Sequence, residues 1–375
     1  MAESDLKVLH LFPEFKRGGA QVNVLRFIRS SQNDFTHYVA AGPFNDDLLQ
    51  EYRKYVDQIY MIDMTSLKLS SLLKLTRLIR TLRPDIVHVN GKGAALYGFL
   101  SSFLTGKPYR IYHTMRGFHI KFSGLKLKLY LQFEKMAARR MDGNILVSPS
   151  ERNLLMESIP GLDRSKLFLI PNGISVSEVP LPREIRETTD RHGCNIVTLS
   201  RLSHQKDLIS MLEAFETVAA SHPETALHIM GGETPQDREY AEQVREKLAA
   251  CTYRDRIYLW GSVKDAGNLI RHFHIYWTTA KFEGLPTAVV EAGLSRVLTV
   301  GTDCVGNVDV IIPGKTGILT ETGNPGSAAE GLLRALKIRE TGEAEALKKA
   351  AESLCLNFSL ENNAEKLREL YNSKG

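Results

Sequence analysis

Short runs of β-branched and other apolar residues alternate along the chain with longer stretches whose apolar positions recur every three to four residues. KVLHLF (7–12), HYVAAG (37–42), DIVHVN (85–90), YRIYHT (109–114) and GNILVS (143–148) read as buried strands. Between them lie helical patterns. One runs from Ala20 to about Ser30. Another spans 69–82, with Leu72, Leu75, Leu78, Ile79 and Leu82 on one face and Lys and Arg on the other, and it stops at Pro84. The second half repeats the alternation. Strands are expected at NIVTLS (195–200), ALHIMGG (226–232), RIYLWG (256–261), HIYWTT (274–279) and VLTVGT (297–302), with helices at 208–221 and 238–250. Strands separated by helices of this length imply parallel sheets with right-handed crossovers. Residues 176–193 are polar, proline-bearing and without a period, so they read as a linker between two doubly wound halves.

A length of 375 residues suits two domains. No apolar run approaches the roughly 18 residues that span a bilayer. The acidic start MAESDL is unlike a signal peptide. Four cysteines far apart, with no pair at metal-ligand spacing, suit a reducing cytoplasm. The net charge of +5 conceals an asymmetry: residues 1–175 carry 25 Lys and Arg against 15 Asp and Glu, and the remainder 23 against 28. A basic half of +10 predicts an anionic partner.

In doubly wound sheets, ligands gather beyond the carboxyl ends of the strands, and the candidate chemistry falls there. FEGLPTAVVEA (282–292) follows a strand and separates Glu283 from Glu291 by seven residues, with Gly284, Leu285, Pro286 and Thr287 between strand and helix. Pro286 is suited to the first helical position, where no backbone N–H is needed, and the free N–H groups beside it can meet an anion or a hydroxyl. A lone Glu is usually a solvated surface acid; a Glu set among Ala, Val and Gly beside such a loop is less so. SRLSHQKD (200–207) places Arg201 and Lys206 on another post-strand loop. A guanidinium fork and an ammonium there can hold a diphosphate, against the plainer reading of ordinary surface charge. Gly18 and Gly19 before the first helix permit close approach of a ligand to the backbone, or are simply a turn. GKT (314–316) imitates a phosphate-binding loop, but Asp309 stands where its first glycine belongs; GKGAAL (91–96) lacks a third glycine. No Asp-any-Asp sequence offers to hold a metal. HIKFSGLKLKLYLQFEKMAARR (119–140) interleaves basic with apolar residues, as a helix lying on an anionic bilayer does. The competing reading packs Leu125, Leu129 and Phe133 into the core. No nucleic-acid module accompanies this stretch.

Together GGAQ (18–21), RPDIVHVN (83–90), PNGI (171–174), SRLSHQKD, the paired glutamates and GKTGIL (314–319) resemble glycosyltransferase family 4 over nearly the whole chain. The resemblance implies an α/β fold of GT-B architecture, two facing Rossmann-like domains with an interdomain cleft. It implies an acceptor domain at 1–175, the linker 176–193, a donor domain at 194–357, and a C-terminal helix in 358–375 that crosses back to the first domain. It further implies a retaining hexosyltransferase that takes a hexose or N-acetylhexosamine from a nucleotide-sugar, UDP-sugar above all, without metal or cofactor. By position, Arg201 and Lys206 would hold the donor diphosphate, Glu291 the ribose, and Glu283 with Gly284, Leu285, Pro286 and Thr287 the sugar and distal phosphate. Gly261, Ser262 and Val263 would line the base pocket, and Gly19 would approach the donor from the first domain. The expected acceptor is a lipid-linked or cell-envelope saccharide, used by a cytoplasmic protein peripheral to the inner face of the membrane. The sequence departs from the family at Thr114-Met115-Arg116-Gly117, where Arg116 replaces the usual histidine and His113 or His119 lies near enough to substitute; Asp309 stands where a glutamate is common. That departure leaves open a binding protein for nucleotide-sugar or anionic lipid with weakened turnover. A nucleotide-sugar epimerase is the other alternative, and the N-terminal half offers it no acid–base pair.

Overall fold

The computed structural model describes residues 6–16, 18–44, 47–115 and 123–373; Arg116 and His119 lie outside the described residues. The chain divides into two compact units, Met1–Gly173 with Leu360–Gly375, and Ile174–Ser359.

The first unit runs β1 (Leu6–Glu14), α1 (Gly19–Ser31), β2 (Phe35–Gly42), α2 (Leu48–Tyr52), β3 (Gln58–Met61), α3 (Leu69–Leu82), β4 (Ile86–Asn90), α4 (Lys92–Leu104), β5 (Arg110–Thr114), α5 (Gly124–Arg140), β6 (Gly143–Leu146), α6 (Pro149–Ser158) and β7 (Leu167–Leu169). Its seven strands are parallel in the order β3-β2-β1-β4-β5-β6-β7. Alternate side chains serve opposite faces. Leu9, Leu11, Val87 and Val89 pack with α3, α4 and α5, while Val8, Phe12 and Ile86 pack on the other face. The chain enters α6 through a reciprocal pairing of Ser148 and Glu151 that resembles a capping box, with the carboxylate reaching one residue further back. Ser148 Oγ accepts from Glu151 N at 3.2 Å, and the buried Glu151 carboxylate accepts from Val147 N at 3.0 Å.

The second unit runs α7 (Arg183–Thr189), β8 (Cys194–Leu199), α8 (Leu208–Ser221), β9 (Thr225–Met230), α9 (Arg238–Ala250), β10 (Ile257–Gly261), α10 (Ala266–Leu269), β11 (Ile275–Thr278), α11 (Thr287–Leu294), β12 (Leu298–Thr302), β13 (Ile318–Thr320), α12 (Pro325–Ile338) and α13 (Gly342–Cys355). Its six strands are parallel in the order β10-β9-β8-β11-β12-β13. Residues 176–193 are not a bare linker: they belong to this unit and include α7. Only Leu181 and Ile185 anchor that short helix. Two apolar residues are too few to make a visible period.

The last helix, α14 (Leu360–Asn372), belongs to the first unit, on the face bearing three buried histidines. His10 and His88 are register partners on β1 and β4. His10 Nε2 lies 3.1 Å from His37 Nδ1, and His37 Nε2 lies 3.1 Å from Ser31 Oγ. His88 bridges Thr114 Oγ1 at 2.7 Å and Tyr371 OH of α14 at 2.5 Å. Tyr371 also packs edge-on against Phe27 and Phe35 and stacks on Tyr112. Arg110 donates to the Tyr371 and Ser373 carbonyls at 2.5 and 2.6 Å, closing the C-terminal end of the helix.

Helix α5 separates the two readings of its sequence. Phe133 packs against Phe99 with ring centroids 5.6 Å apart. Leu125 is 72% exposed and Leu129 63%. The core-packing reading therefore holds for Phe133 and fails for the two leucines, which are exposed, as are Lys126 and Lys128.

Burial pushes His37 down to about 4 and His10 well below its ordinary value. A histidine whose folded pKa lies below the unfolded one near 6.5 stabilises above that pH, and the contribution drains away between 6.5 and about 4. His37 alone should cost the first unit about 2 kcal/mol at pH 5 relative to neutral pH. Hydrogen exchange of β1, β2 and α14, corrected for the intrinsic rate, should show weaker protection at pH 5.0 than at 7.5. His37→Gln should reduce the difference. Equal protection at both pH values would contradict this account.

Candidate active site

Strand order in the second unit reverses at β8: the chain proceeds outward to β9 and β10, then returns to lay β11 on the other side of β8. A reversal of this kind leaves a crevice at the carboxyl ends of the two strands, because their following loops diverge to opposite faces. The loop after β8 carries Lys206, and the loop after β11 carries Glu283. Their side chains meet, Lys206 Nζ to Glu283 Oε1 at 2.5 Å, with side-chain exposures of 16% and 13%.

Both loops are tied down. Thr279 Oγ1, just past β11, donates to the carbonyls of Lys206 and Asp207, each at 3.0 Å. Lys281 N donates to Gln205 O at 2.8 Å. Gln205 Nε2 donates to Phe282 O at 3.0 Å and to Glu283 Oε2 at 3.4 Å. Asp207 adopts φ +49° as the residue before α8, with Ser210 Oγ donating to Oδ2 at 2.9 Å and Lys281 Nζ 3.1 Å from Oδ1. Glu283 N donates to Val305 O at 2.9 Å. Gly306, at φ +88°, lies against the Glu283 main chain, where a Cβ would come within 2.8 Å of its carbonyl oxygen. Both its conformation and its surroundings require glycine.

A cavity of about 150 Å³ opens beside this pair, lined among others by Lys206, Tyr276, Glu283, Pro286, Thr287 and Glu291. Glu291 lies in the second turn of α11. Helix α11 begins at Thr287, one residue later than the proline rule predicts. Pro286 takes the cap position and its carbonyl accepts from Val289 and Val290 N; a proline needs no N–H partner in either place. Leu285 is buried and Gly284 half-buried. Burial, with the nearby Glu283 and Glu291 carboxylates, pushes the Tyr276 phenol up, so it stays a neutral hydroxyl. Burial likewise raises the Cys304 thiol to about 11, leaving it protonated beside Glu283.

The remaining candidates are placed differently. Arg201 does not line the cavity: its side chain is 53% exposed and lies 3.8 Å from Asp237 Oδ2. Gly261 takes φ +65°, and its carbonyl accepts from Gly231 N at 2.7 Å. A Cβ on Gly231 would collide with Ser200 O, and one on Gly232 with Ser262 Oγ. The loop 261–263 therefore closes on the start of the Arg201 loop, with Ser262 exposed and Val263 half-buried. Gly19 opens α1 in the first unit, exposed and with open space around it. His113 is buried at the end of β5. Gln205, Tyr276 and Gly306 had no assigned role in the motifs. Gln205 stood inside SRLSHQKD without a charge to mark it, and Gly306 is 23 residues from the glutamate it cradles. Among the described residues, no cluster of three or more His, Cys, Asp or Glu is placed to hold a metal ion.

Residues 188–354 match the family model described as Glycosyl transferases group 1, and residues 17–178 match Glycosyltransferase Family 4. The chain is 23% identical to an Escherichia coli UDP-Gal:alpha-D-GlcNAc-diphosphoundecaprenol alpha-1,3-galactosyltransferase, over 88% of this chain and 86% of that one. It is also 23% identical to the Staphylococcus aureus capsular polysaccharide biosynthesis glycosyltransferase CapM, over 98% and 97%. The structure of Anabaena HepE in complex with UDP and glucose superposes with a TM-score of 0.82 at 15% identity, covering 97% of this chain and 99% of that one. The fold is of the GT-B class, as the sequence motifs imply. Two family matches that between them take in both doubly wound units, and relatives alike along their length, make this chain a glycosyltransferase of the family 4 kind.

Proposed function

We propose that the protein is a retaining glycosyltransferase that moves a hexose or N-acetylhexosamine from a UDP-sugar to a lipid-linked or cell-envelope saccharide, with the donor held by the second unit. The observation that carries this reading is the convergence of Lys206, Glu283 and Glu291 on one cavity at the β8–β11 reversal. UDP is favoured because HepE is found with UDP and glucose, and because the E. coli relative is described as using UDP-Gal. The acceptor class follows the descriptions of that relative, with its diphosphoundecaprenol-linked sugar, and of CapM.

In this scheme the bond from the anomeric carbon to the diphosphate breaks and negative charge grows on the leaving phosphate. A preset positive group stabilises that charge most, because it need not reorganise as the charge appears. Lys206 is such a group, steadied by Glu283. Arg201 would leave Asp237 to add a second cation, which its exposure permits. Glu283 and the 284–287 loop hold the sugar, Glu291 accepts from the ribose hydroxyls, and 261–263 faces the base. The acceptor oxygen bonds to the anomeric carbon on the face the diphosphate leaves, and its proton passes to a phosphate oxygen. The two side-chain cations do here what a divalent metal does in other transferases.

The reading extends to the membrane. Helix α5 presents Leu125, Leu129 and Met136, each more than half exposed, beside Lys126, Lys128 and Arg139. Apolar side chains framed by cations suit the headgroup boundary of an anionic bilayer, where a lipid-linked acceptor is found. Among the described residues, no helix is long and apolar enough to cross a membrane. The expected setting is the inner face of the cytoplasmic membrane, held peripherally.

Lys206→Ala and Glu291→Ala should each weaken donor binding or turnover at least tenfold without unfolding the chain, since a charge-assisted contact is worth ~1.5–3 kcal/mol. Wild-type kinetics in both would remove the donor site from this cavity. Transfer should persist in excess EDTA; activity abolished there and restored by Mn²⁺ or Mg²⁺ would overturn the metal-free scheme. The protein should co-sediment with anionic vesicles at low salt, release at high salt, and bind less as Lys126→Glu/Lys128→Glu. Indifference to anionic vesicles would point to a soluble acceptor.

A further inference from the structure

Glu291 is held from an unexpected direction. Gly267, in the four-residue helix α10, lies so close to its side chain that a Cβ there would come within 2.5 Å of both carboxylate oxygens. The carboxylate therefore rests flat against the glycine Cα, in space that any other residue would fill. The backbone at Gly267 does not itself require glycine: it is absent from the positive-φ residues, unlike Gly261 and Gly306. What demands the missing side chain is the carboxylate.

The segment around Gly267 cannot retreat cheaply. Leu269 and Ile270 are buried in the unit. Asn268 Oδ1 accepts from Ser177 N at 2.9 Å, Arg271 pairs with Glu178 at 2.8 Å, and His272 Nε2 lies 2.9 Å from Val179 O. The segment is thus pinned to residues 177–179 as well as to the core. The carboxylate, by contrast, is the far end of a flexible side chain. A methyl group at 267 would move the carboxylate, and by about 1 Å to reach ordinary van der Waals separation.

We infer that Gly267 is a positioning residue for the donor: it sets where the Glu291 carboxylate stands, and so the strength with which the nucleoside is held. The inference rests on the reading of Glu291 as the ribose-binding carboxylate. A displacement of 1 Å spoils a bidentate hydrogen-bonding arrangement while leaving the fold intact. Loss of a nucleoside contact made equally in ground and transition states appears in KM rather than kcat.

The test is a set of four proteins compared with wild type: Gly267→Ala, Glu291→Asp, the double variant and Glu291→Ala, each assayed for donor KM, kcat and Tm. Gly267→Ala should raise donor KM at least fivefold, leave kcat within about twofold, and leave Tm unchanged or higher, alanine being the better helix former. Glu291→Asp alone should also weaken donor binding. Combined with Gly267→Ala it should recover part of the loss, because the shorter side chain withdraws the carboxylate from the added methyl. Wild-type behaviour in Gly267→Ala with impaired Glu291→Ala would overturn this inference and leave the donor site standing. Wild-type behaviour in both would remove the donor reading itself. A fall in Tm with kcat and KM both damaged, and no recovery in the double variant, would make Gly267 a packing residue and overturn the positioning role.

Discussion

A lysine ammonium and a glutamate carboxylate, mostly withdrawn from water, stand 2.5 Å apart where the loops after β8 and β11 approach each other. Taking two charges out of solvent costs several kcal/mol unless each has its partner and its hydrogen bonds, and stranding one of them costs about 3–5 kcal/mol. That penalty constrains everything around the pair. Thr279 must hold the Lys206 main chain, Gln205 must reach the second carboxylate oxygen, and Gly306 must vacate the space beside Glu283. In the proposed scheme the same constraint serves chemistry. A cation held in a partly dry cavity is in place before charge develops on a departing phosphate, so no reorganisation is needed when the reaction occurs.

The paired glutamates of the loop and helix are not equivalent in this environment. Glu283 is fixed by a salt bridge, a side-chain amide and a cradle of backbone, so its orientation is over-determined. Glu291 is shaped by exclusion, its carboxylate fitted against a position without a side chain. Each carboxylate has a glycine in its surroundings: Gly306 lies against the Glu283 main chain, and Gly267 against the Glu291 carboxylate itself.

The first unit solves a separate problem, the docking of a helix that arrives from the far end of the chain. Three histidines face α14 or lie close behind it, with Tyr371 bonded to His88, edge-on to Phe27 and Phe35 and stacked on Tyr112. Buried neutral imidazoles can both donate and accept, which suits a sheet face where serine, threonine and tyrosine hydroxyls converge. Burial lowers the proton affinity of His10 and His37, so the arrangement favours neutral rings at those two positions.

Much of this architecture was legible along the chain, for reasons of range. Helices α3, α8 and α9 begin and end where their apolar period and flanking residues place them, because a helical period is a local property. The strands without a sequence signal, β3, β7 and β13, are sheet edges of three or four residues, too short for an alternation to show, and β3 and β7 are partly exposed besides. The glutamates at 283 and 291 announced themselves because one loop and one helix turn contain both. Lys206 and Glu283 are 77 residues apart, and nothing in either segment states that they pair. His10, His37 and His88 each look like an interruption in an apolar strand until parallel register sets them side by side. Gly267 carries no motif at all, since its significance is the volume it leaves for a carboxylate on another helix. The sequence by itself determined the elements, the two doubly wound units and the chemistry of the loops, through periodicity and local composition. Which charges meet, which rings touch and which hydrogen atom matters were decided only by tertiary packing, because these depend on distances between segments that share no local pattern.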